Sequence, residues 1–502
     1  MFGRDKICAV VAAPDAKSMW RQLARALRST RTIEIRLDWL ANDAEIARFL
    51  RTLTAKKPRA TLIATCRRQS AGGRYRGTVA QQLVQLAQAL RAGCTWYDFD
   101  LEAMPVCPPK LKQVLLGDGQ EMASAHYFKS VPKNLKKIVA DASRAGAAAV
   151  KIAAQCDSLA AGIRLLGVAR ERRDVVAIPM GEAVQPLRVL ALRQGSALTY
   201  APVTHATAAG QISLETMTDL FRAAKVDRRT GVYGVIGDPV GHSLSPLMQN
   251  AAFRKRRMNA VYLPFLVSDL PDFLAAIGPL GIKGFSITLP HKESILRYLD
   301  GCDPLAAAIG AVNTVVVRGG GQLYGYNTDY VGVLRALERR IPLRGSRVLV
   351  VGAGGAARAV AFALAQAAAS VCICARRPAR AKALAKAVGG EAIARGRLKK
   401  EFFDAIVNAT PVGMHPNVQQ SPLEARELNC RLVFDTIYRP RQTKLLQLAA
   451  RRGIETISGV EMFIAQGAAQ WEIWTGQRAP MEAMRRAVLQ PLTREEKPRT
   501  RS

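Results

Sequence analysis

GVYGVIGDPVGHSLSP, residues Gly231–Pro246, reads as a short apolar strand, a Gly/Pro turn and two serines one residue apart. Further on, VLVVGAGGAARA, Val348–Ala359, runs a strand into a glycine turn and a small-residue helix. The first stretch offers paired hydroxyls to a small polyol. The second offers backbone amides and a helix N-terminus to a dinucleotide pyrophosphate. Together they point to a dehydrogenase acting on a small hydroxylated acid. The 230 residues ahead of them are too many for an appendage.

The chain has 502 residues, which predicts two or three domains, and its 49% hydrophobic content suffices for sizeable cores. No apolar run is long enough to span a bilayer. The opening MFGRDKICAVVAA is basic and then apolar; lacking a small-residue cleavage site, it reads as a first strand rather than a signal peptide. Nine cysteines show no CxxC pair and no zinc-type spacing, and Cys372 and Cys374 fall in an apolar strand. Free buried thiols and a reducing cytoplasm are therefore expected. With only five histidines, no metal centre is expected. The net charge of +34 attracts anions in general and permits nucleic-acid binding. Yet the basic residues are spread along the chain, as in RRPARAKALAKA (376–387), with no basic stripe interleaved with aromatics. Small-molecule partners are expected, with a nucleic-acid-binding protein as a remote alternative and no membrane partner.

Residues 1–225 contain eight apolar runs: ICAVVAA (7–13), TIEIRLD (32–38), ATLIATC (60–66), WYDFDLE (96–102), EMASAH (121–126), AAVKIA (148–153), VVAIPM (175–180) and ALTYAPV (197–203). Most are separated by room for one helix, such as TVAQQLVQLAQALRAG (78–93). Eight β/α units predict a TIM-type (β/α)8 barrel, whose strand C-termini face the active site. Those ends carry Glu34, Arg36, Arg67, Asp98, Asp100, Glu102, His126 and Lys151. KVDRRTG (225–231) reads as a linker. A second α/β series over 231–335 is the expected substrate domain, and a third over 340–460, opened by PLRGS (342–346), the expected Rossmann domain. Helices over 461–490 are expected to pack back on the substrate domain, and 491–502 to form a disordered tail.

In AAVKIA, desolvation would disfavour the Lys151 ammonium and free an amine to form a Schiff base with a ketone. His126, at the end of EMASAH, is placed to move a proton. The ordinary alternatives are a strand-end lysine reaching solvent and a structural histidine. The order EIRLD (34–38), TCR (65–67), GG (72–73), SAH (124–126), VP (131–132), VKIA (150–153), MG (180–181), Arg188 and AAGQIS (208–213) resembles type I 3-dehydroquinate dehydratases over about residues 5–222. The resemblance implies Lys151 as the Schiff-base lysine and His126 as the proton-transfer group. It also implies Glu34, Arg36, Arg67, Arg188 and Gln211 as substrate holders, arginine suiting a carboxylate through its planar fork. Thr207 stands where the family usually has serine. Ala71 stands where the family places a glutamate that partners the histidine, and Tyr127 follows the histidine where an acidic residue or Asn is common. A histidine without its carboxylate loses orientation and basicity. One alternative is therefore a barrel that serves only as a scaffold; another is replacement of the glutamate by Asp98, Asp100 or Glu102.

Reducing a ketone with a nicotinamide needs a hydride donor, a proton donor and groups that fix the substrate. Lys292 in FSITLPHKE (285–293) is placed to give the proton, and Asp329 in YGYNTDYVG (324–332) to pair with it. Thr288, Asn313, Ser243 and Ser245 supply hydrogen bonds. Each motif alone is ordinary loop chemistry. The ordered set GDPVGHSLSP, ITLPHK, GAVNT, YNTD, GAGGAARA, NATPVGM and Gln466 in FIAQGA resembles shikimate dehydrogenases over about residues 232–490. This implies a catalytic Lys292–Asp329 pair and substrate roles for Ser243, Ser245, Thr288, Asn313 and Gln466. Tyr438 and Gly459 match family positions near the substrate and the nicotinamide. The amides of Gly352, Ala353, Gly354, Gly355 and Ala356 suit a pyrophosphate. At the end of VCICARR an acid would select NAD; Arg376, Arg377 and Arg380 stand there instead, a place for a 2′-phosphate, so NADP is expected. Asn408, Thr410 and Met414 would lie along the cofactor by resemblance. The two resemblances together imply a fused enzyme that dehydrates dehydroquinate and reduces the product to shikimate, with quinate as the alternative dehydrogenase substrate.

Overall fold

The computed structural model describes every residue except 1, 3–4, 108, 118, 205–209 and 497–502. It divides into two compact units, Met1–Gly231 with Asn259–Gly281, and Val232–Met258 with Ile282–Ser502.

In the first unit the eight apolar runs form β1 (Ile7–Val11), β2 (Thr32–Arg36), β3 (Thr61–Thr65), β4 (Trp96–Asp100), β5 (Gln120–Tyr127), β6 (Ala149–Gln155), β7 (Val175–Met180) and β8 (Thr199–Pro202). They make one sheet in the order β7-β6-β5-β4-β3-β2-β1-β8. The N–H of Ala197 reaches the Val175 carbonyl at 2.8 Å, so the parallel barrel is nearly closed. Alternation sends every second side chain inward. Cys8, Ile63, Met122, Val176 and Leu198 form part of the apolar interior. The helices obey local rules: Val79–Arg91 starts at a Thr78/Gln81 capping box and buries Leu83, Leu86 and Ala87. Asn259–Gly281, within the stretch expected as the substrate domain, groups with this unit. One reason is local: the Asp272 carboxylate accepts from the N–H groups of Leu159 (2.8 Å) and Ala160 (3.1 Å), at the positive end of helix Leu159–Gly167.

Five strands of a six-stranded mixed sheet lie in the second unit, in the order Gly231–Gly237, Ile282–Ile287, Thr314–Val317, Leu323–Tyr326, Gly301–Cys302. A separate parallel sheet is built from Arg347–Val351, Ser370–Cys374, Glu391–Ala392, Phe403–Asn408, Cys430–Asp435 and Glu455–Ser458. Numbered in chain order, these six lie as 3-2-1-4-5-6, the doubly wound dinucleotide-binding arrangement. Helix Gly459–Thr475 buries Trp471 and docks through polar as well as apolar contacts. Gln249 donates to the Gly467 carbonyl (2.9 Å), and the Trp474 indole to that of Val315 (3.0 Å). The last helix runs Met481–Glu496, so it extends past the tail boundary expected at 491; residues 497–502 lie outside the described part.

Asp435, at the end of its strand, is fully buried. It accepts from Asn408 (3.0 Å), the Ile437 N–H (3.0 Å) and Thr443 (2.6 Å), with no cation among those donors. Burial therefore dominates and pushes its carboxyl up from 3.8 to about 6. A folded-state pKa raised above the unfolded one means that stability from the bound proton is full below about pH 3.8 and is lost as pH rises through about 6. The loss is on the order of 2–3 kcal/mol. Asp435→Asn keeps a neutral group at every pH, and its amide can donate to Thr443. We expect it to be more stable than the parent at about pH 7.5, with the gap closing at about pH 4, as read from urea midpoints.

Candidate active sites

The barrel interior carries a cavity of about 110 Å³. One layer draws a side chain from each even-numbered strand: Glu34 of β2, Asp98 of β4, Lys151 of β6 and Tyr200 of β8. Lys151 Nζ lies 3.1 Å from Glu34, contacts Asp98 and sits 4.9 Å from the centre of the Tyr200 ring. The lysine expected among apolar neighbours is therefore buried but ion-paired. The apolar reading of AAVKIA failed because the charged partners come from strands far away in sequence. Arg67 contacts Asp100 and lies 2.6 Å from both Asp98 and Ser124. Burial opposes the charge on Asp98, but Arg67 and Lys151 outweigh it and hold the carboxyl well below the usual range.

His126 lines this cavity with Arg36, Arg188 and Gln211, while Thr207 lies outside the described residues. Burial first, then Arg67 and Lys151, lower the His126 pKa well below 6.5, so the ring is neutral near pH 7. Its Nδ1 is buried and has no hydrogen-bond partner among the described residues. Asp98 and Asp100, considered as replacements for the family glutamate, are engaged by Arg67, and Glu102 is exposed. None of the three orients the ring. Ala71 and Gly72 line the same cavity, and the Phe128 ring lies so close to Gly72 that an added Cβ would meet it at 2.2 Å. Of the arginines that the resemblance assigns to substrate, Arg67 already serves the barrel's own carboxylates and Arg36 donates to Asp38 at 2.8 and 2.9 Å. Arg188 is buried at the cavity, and burial pushes it down to about 10.

The second unit holds a cavity of about 170 Å³ that gathers Ser243, Ser245, Thr288, Lys292, Asn313, Asp329, Tyr438 and Gln466. They arrive from the ends of several elements. Ser243 and Ser245 follow the first strand, and the Ser245 N–H donates to Ser243 Oγ at 3.2 Å. Thr288 and Lys292 follow strand Ile282–Ile287, and Asp329 opens helix Asp329–Leu337. Lys292 Nζ lies 2.6 Å from Asp329 Oδ2. Asn313 donates to Asp329 Oδ1 (2.8 Å) and accepts from the Thr328 N–H (2.8 Å), fixing the carboxylate. Sequence reasoning missed Ser286, Thr436, Phe463 and Gln470, which also line the cavity. Ser286 donates to Gln470 at 2.7 Å, and Tyr438 stacks on Phe463 at 4.3 Å. The signal for Phe463 and Gln470 was present: they stand three before and four after Gln466 on one helix face.

Next to this cavity, the glycine turn joins strand Arg347–Val351 to helix Gly355–Gln366. Gly352 has φ +121°, and a Cβ there would press on the Ala409 carbonyl at 3.0 Å. Gly354 caps the helix with no side chain, and a Cβ there would meet nothing, so the turn leaves an open cradle of amides.

The family model for Type I 3-dehydroquinase matches residues 7–228. Those for the shikimate dehydrogenase substrate binding domain, shikimate / quinate 5-dehydrogenase and the shikimate 5'-dehydrogenase C-terminal domain match 235–315, 335–443 and 459–489. A bifunctional 3-dehydroquinate dehydratase/shikimate dehydrogenase of Arabidopsis thaliana, a chloroplastic protein, is 35% identical over 501 residues, covering 95% of this chain and 83% of that one. The chain belongs to the bifunctional 3-dehydroquinate dehydratase/shikimate dehydrogenase family. A shikimate dehydrogenase (NADP(+)) of Bacillus cereus strain B4264 is 43% identical over 273 residues, 52% of this chain and 98% of the relative. A crystal structure of a shikimate dehydrogenase in complex with NADP+ is 39% identical, covers 53% of this chain and 97% of that one, and has a TM-score of 0.50.

In this member of the bifunctional dehydratase/dehydrogenase family the open turn fits a dinucleotide. Arg376, Arg377 and Arg380 are exposed after the second strand of the parallel sheet, with no ion pair among the described residues. Gly459 is forced by contact, since a Cβ there would meet the Thr436 carbonyl at 2.3 Å. Asn408 departs from its expected place along the cofactor. It is fully buried, donates to Asp435 and accepts from Thr410 N–H (3.0 Å) and Oγ1 (2.7 Å), so it holds the NATP loop from behind. Met414 is exposed on that loop. No helix among the described residues is long and apolar enough to cross a membrane.

Proposed function

We infer that this chain dehydrates 3-dehydroquinate in the barrel and reduces the resulting 3-dehydroshikimate to shikimate in the second unit. The observation that carries the reading is that each of two cavities encloses one lysine in direct contact with carboxylate.

In the barrel, Lys151 Nζ must shed a proton before it attacks the ketone, and Glu34 and Asp98 touch it as acceptors. Condensation releases water and leaves an iminium, which acidifies the adjacent C–H. Neutral His126 takes that proton and returns it to the departing hydroxyl, which leaves as water, and hydrolysis of the Schiff base returns the amine. Arg188 and Arg36 face the substrate carboxylate and Gln211 its hydroxyls.

In the second unit, Ser243, Ser245, Asn313 and Gln466 hold the ring hydroxyls and carboxylate, and Lys292 delivers a proton to the ketone oxygen with Asp329 as its partner. When bound, NADPH supplies the hydride. The Gly352–Ala356 turn would hold its pyrophosphate and Arg376, Arg377 and Arg380 its 2′-phosphate. The double variant Arg376→Ser/Arg377→Ser is expected to lower kcat/KM for NADPH by roughly 10- to 100-fold, the worth of one or two charged hydrogen bonds, and to leave that for NADH nearly unchanged. Steady-state kinetics with both cofactors checks this.

Feeding dehydroquinate plus NADPH to the purified chain and following loss of NADPH absorbance tests the whole reading. No turnover of dehydroquinate, with normal turnover of dehydroshikimate, would favour the scaffold reading, which Ala71 and the unpartnered His126 Nδ1 support. Running the reverse reaction with quinate and shikimate separates those two substrates. All nine cysteines are free, which supports work in a reducing compartment, the cytoplasm in our reading.

A further inference from the structure

The second unit has a further cleft of about 720 Å³ that shares no lining residue with either cavity. Six arginines line it: Arg335, Arg339, Arg340, Arg441, Arg478 and Arg485. Only two lining residues are acidic, Glu461 and Glu472. Glu461 is taken by Arg485 in a two-pronged pair at 2.6 and 2.7 Å, and Glu472 accepts from the Ala479 N–H at 2.9 Å. Arg340 pairs with Glu455 at 2.6 Å. The other four arginines are exposed and make no ion pair among the described residues.

Four like charges around one concavity focus a positive potential and repel one another unless an anion joins them. The guanidinium fork matches phosphate in two-point contacts, and several forks suit a chain of phosphates better than one carboxylate. Apolar side chains reach the cleft as well: Met481 is exposed and Leu489 half-buried, over the buried Ile457 and Leu446. Its size is that of a site for a small organic ligand. None of the glycine-turn residues, nor Arg376 or Arg377, lines it.

We propose that this cleft is a separate binding site for a nucleoside di- or triphosphate, its phosphates on the arginine rim and its ring on the apolar wall. A ligand there would touch helices Asp329–Leu337 and Gly459–Thr475, the same two that hold Asp329 and Gln466 in the catalytic cavity.

The test is calorimetric titration of the full chain, with NADP+ and shikimate saturating, using ATP and inorganic triphosphate as probes at about 0.15 M salt. We expect saturable binding near one equivalent, with ATP several-fold tighter than triphosphate. Arg339→Ala with Arg441→Ala should weaken ATP by about tenfold or more, while melting and dehydrogenase kcat stay unchanged. Arg51→Ala, an exposed barrel arginine, and Arg376→Ser/Arg377→Ser should each leave it within about twofold. Absence of saturable binding below about 1 mM overturns the proposal. Equal weakening by Arg51→Ala overturns it in favour of diffuse charge, and loss in Arg376→Ser/Arg377→Ser in favour of the dinucleotide turn. Equal affinity for ATP and triphosphate overturns the nucleoside assignment.

Discussion

Lys151→Met is expected to cut dehydroquinate dehydration roughly ten-thousand-fold or more and to leave the reduction of dehydroshikimate within about twofold. Methionine keeps the length of the side chain but has no nitrogen to join the ketone. The fold should survive, because the groups left behind keep partners. Asp98 Oδ1 retains Arg67 and Ser124 at 2.6 Å while Oδ2 loses its contact with Lys151, and Glu34 retains the Thr65 hydroxyl at 3.0 Å. Loss of one member of a buried ionic cluster still costs about 3–5 kcal/mol, so melting should be measured alongside. Borohydride reduction in the presence of dehydroquinate should fix the ring to the parent chain at Lys151 as a secondary amine, a gain of the ketone's mass less its oxygen, and add nothing to the variant. A reducible adduct in Lys151→Met would place the amine elsewhere. Failure of the parent to form one would make the barrel a scaffold.

The second large effect belongs to Lys292→Met, which should lower dehydrogenase kcat by roughly 10²- to 10⁴-fold, the usual range for removing a positioned proton donor. KM for shikimate should move far less, because the serines, Asn313 and Gln466 remain. Asp329→Asn should cost less, since its amide oxygen can still accept from Asn313, now at 2.8 Å from Oδ1. Residues that act as one unit give non-additive losses, so the double variant should be little worse than Lys292→Met alone. Dehydratase activity is the internal control throughout. Additive losses would mean that the 2.6 Å pair acts as two independent groups.

The barrel was legible because each strand is a short apolar run and the intervening helices keep their own period. The catalytic cavity of the second unit was legible because most of its polar residues sit in turns at strand ends, where few other roles explain them together. What sequence hid was pairing across distance. Asp98 and Asp100 could be seen at a strand end, but their partners lie just after β3 and on β6, and only the register brings Arg67 and Lys151 to them. Asn408 was placed along the cofactor by resemblance alone; its burial against Asp435 depends on the neighbouring strand. Gln470 was recoverable from helical spacing alone.

The allegiance of Asn259–Gly281 bears on how these proteins can be divided. The backbone passes between the compact units three times, at 231, 258 and 281, not once. A protease nick or gene break in the linker would therefore strand Asp272 on the wrong fragment and uncover the amides of Leu159 and Ala160. Fission into two autonomous polypeptides would leave those amides to water, with Ser158 as the remaining cap of the helix.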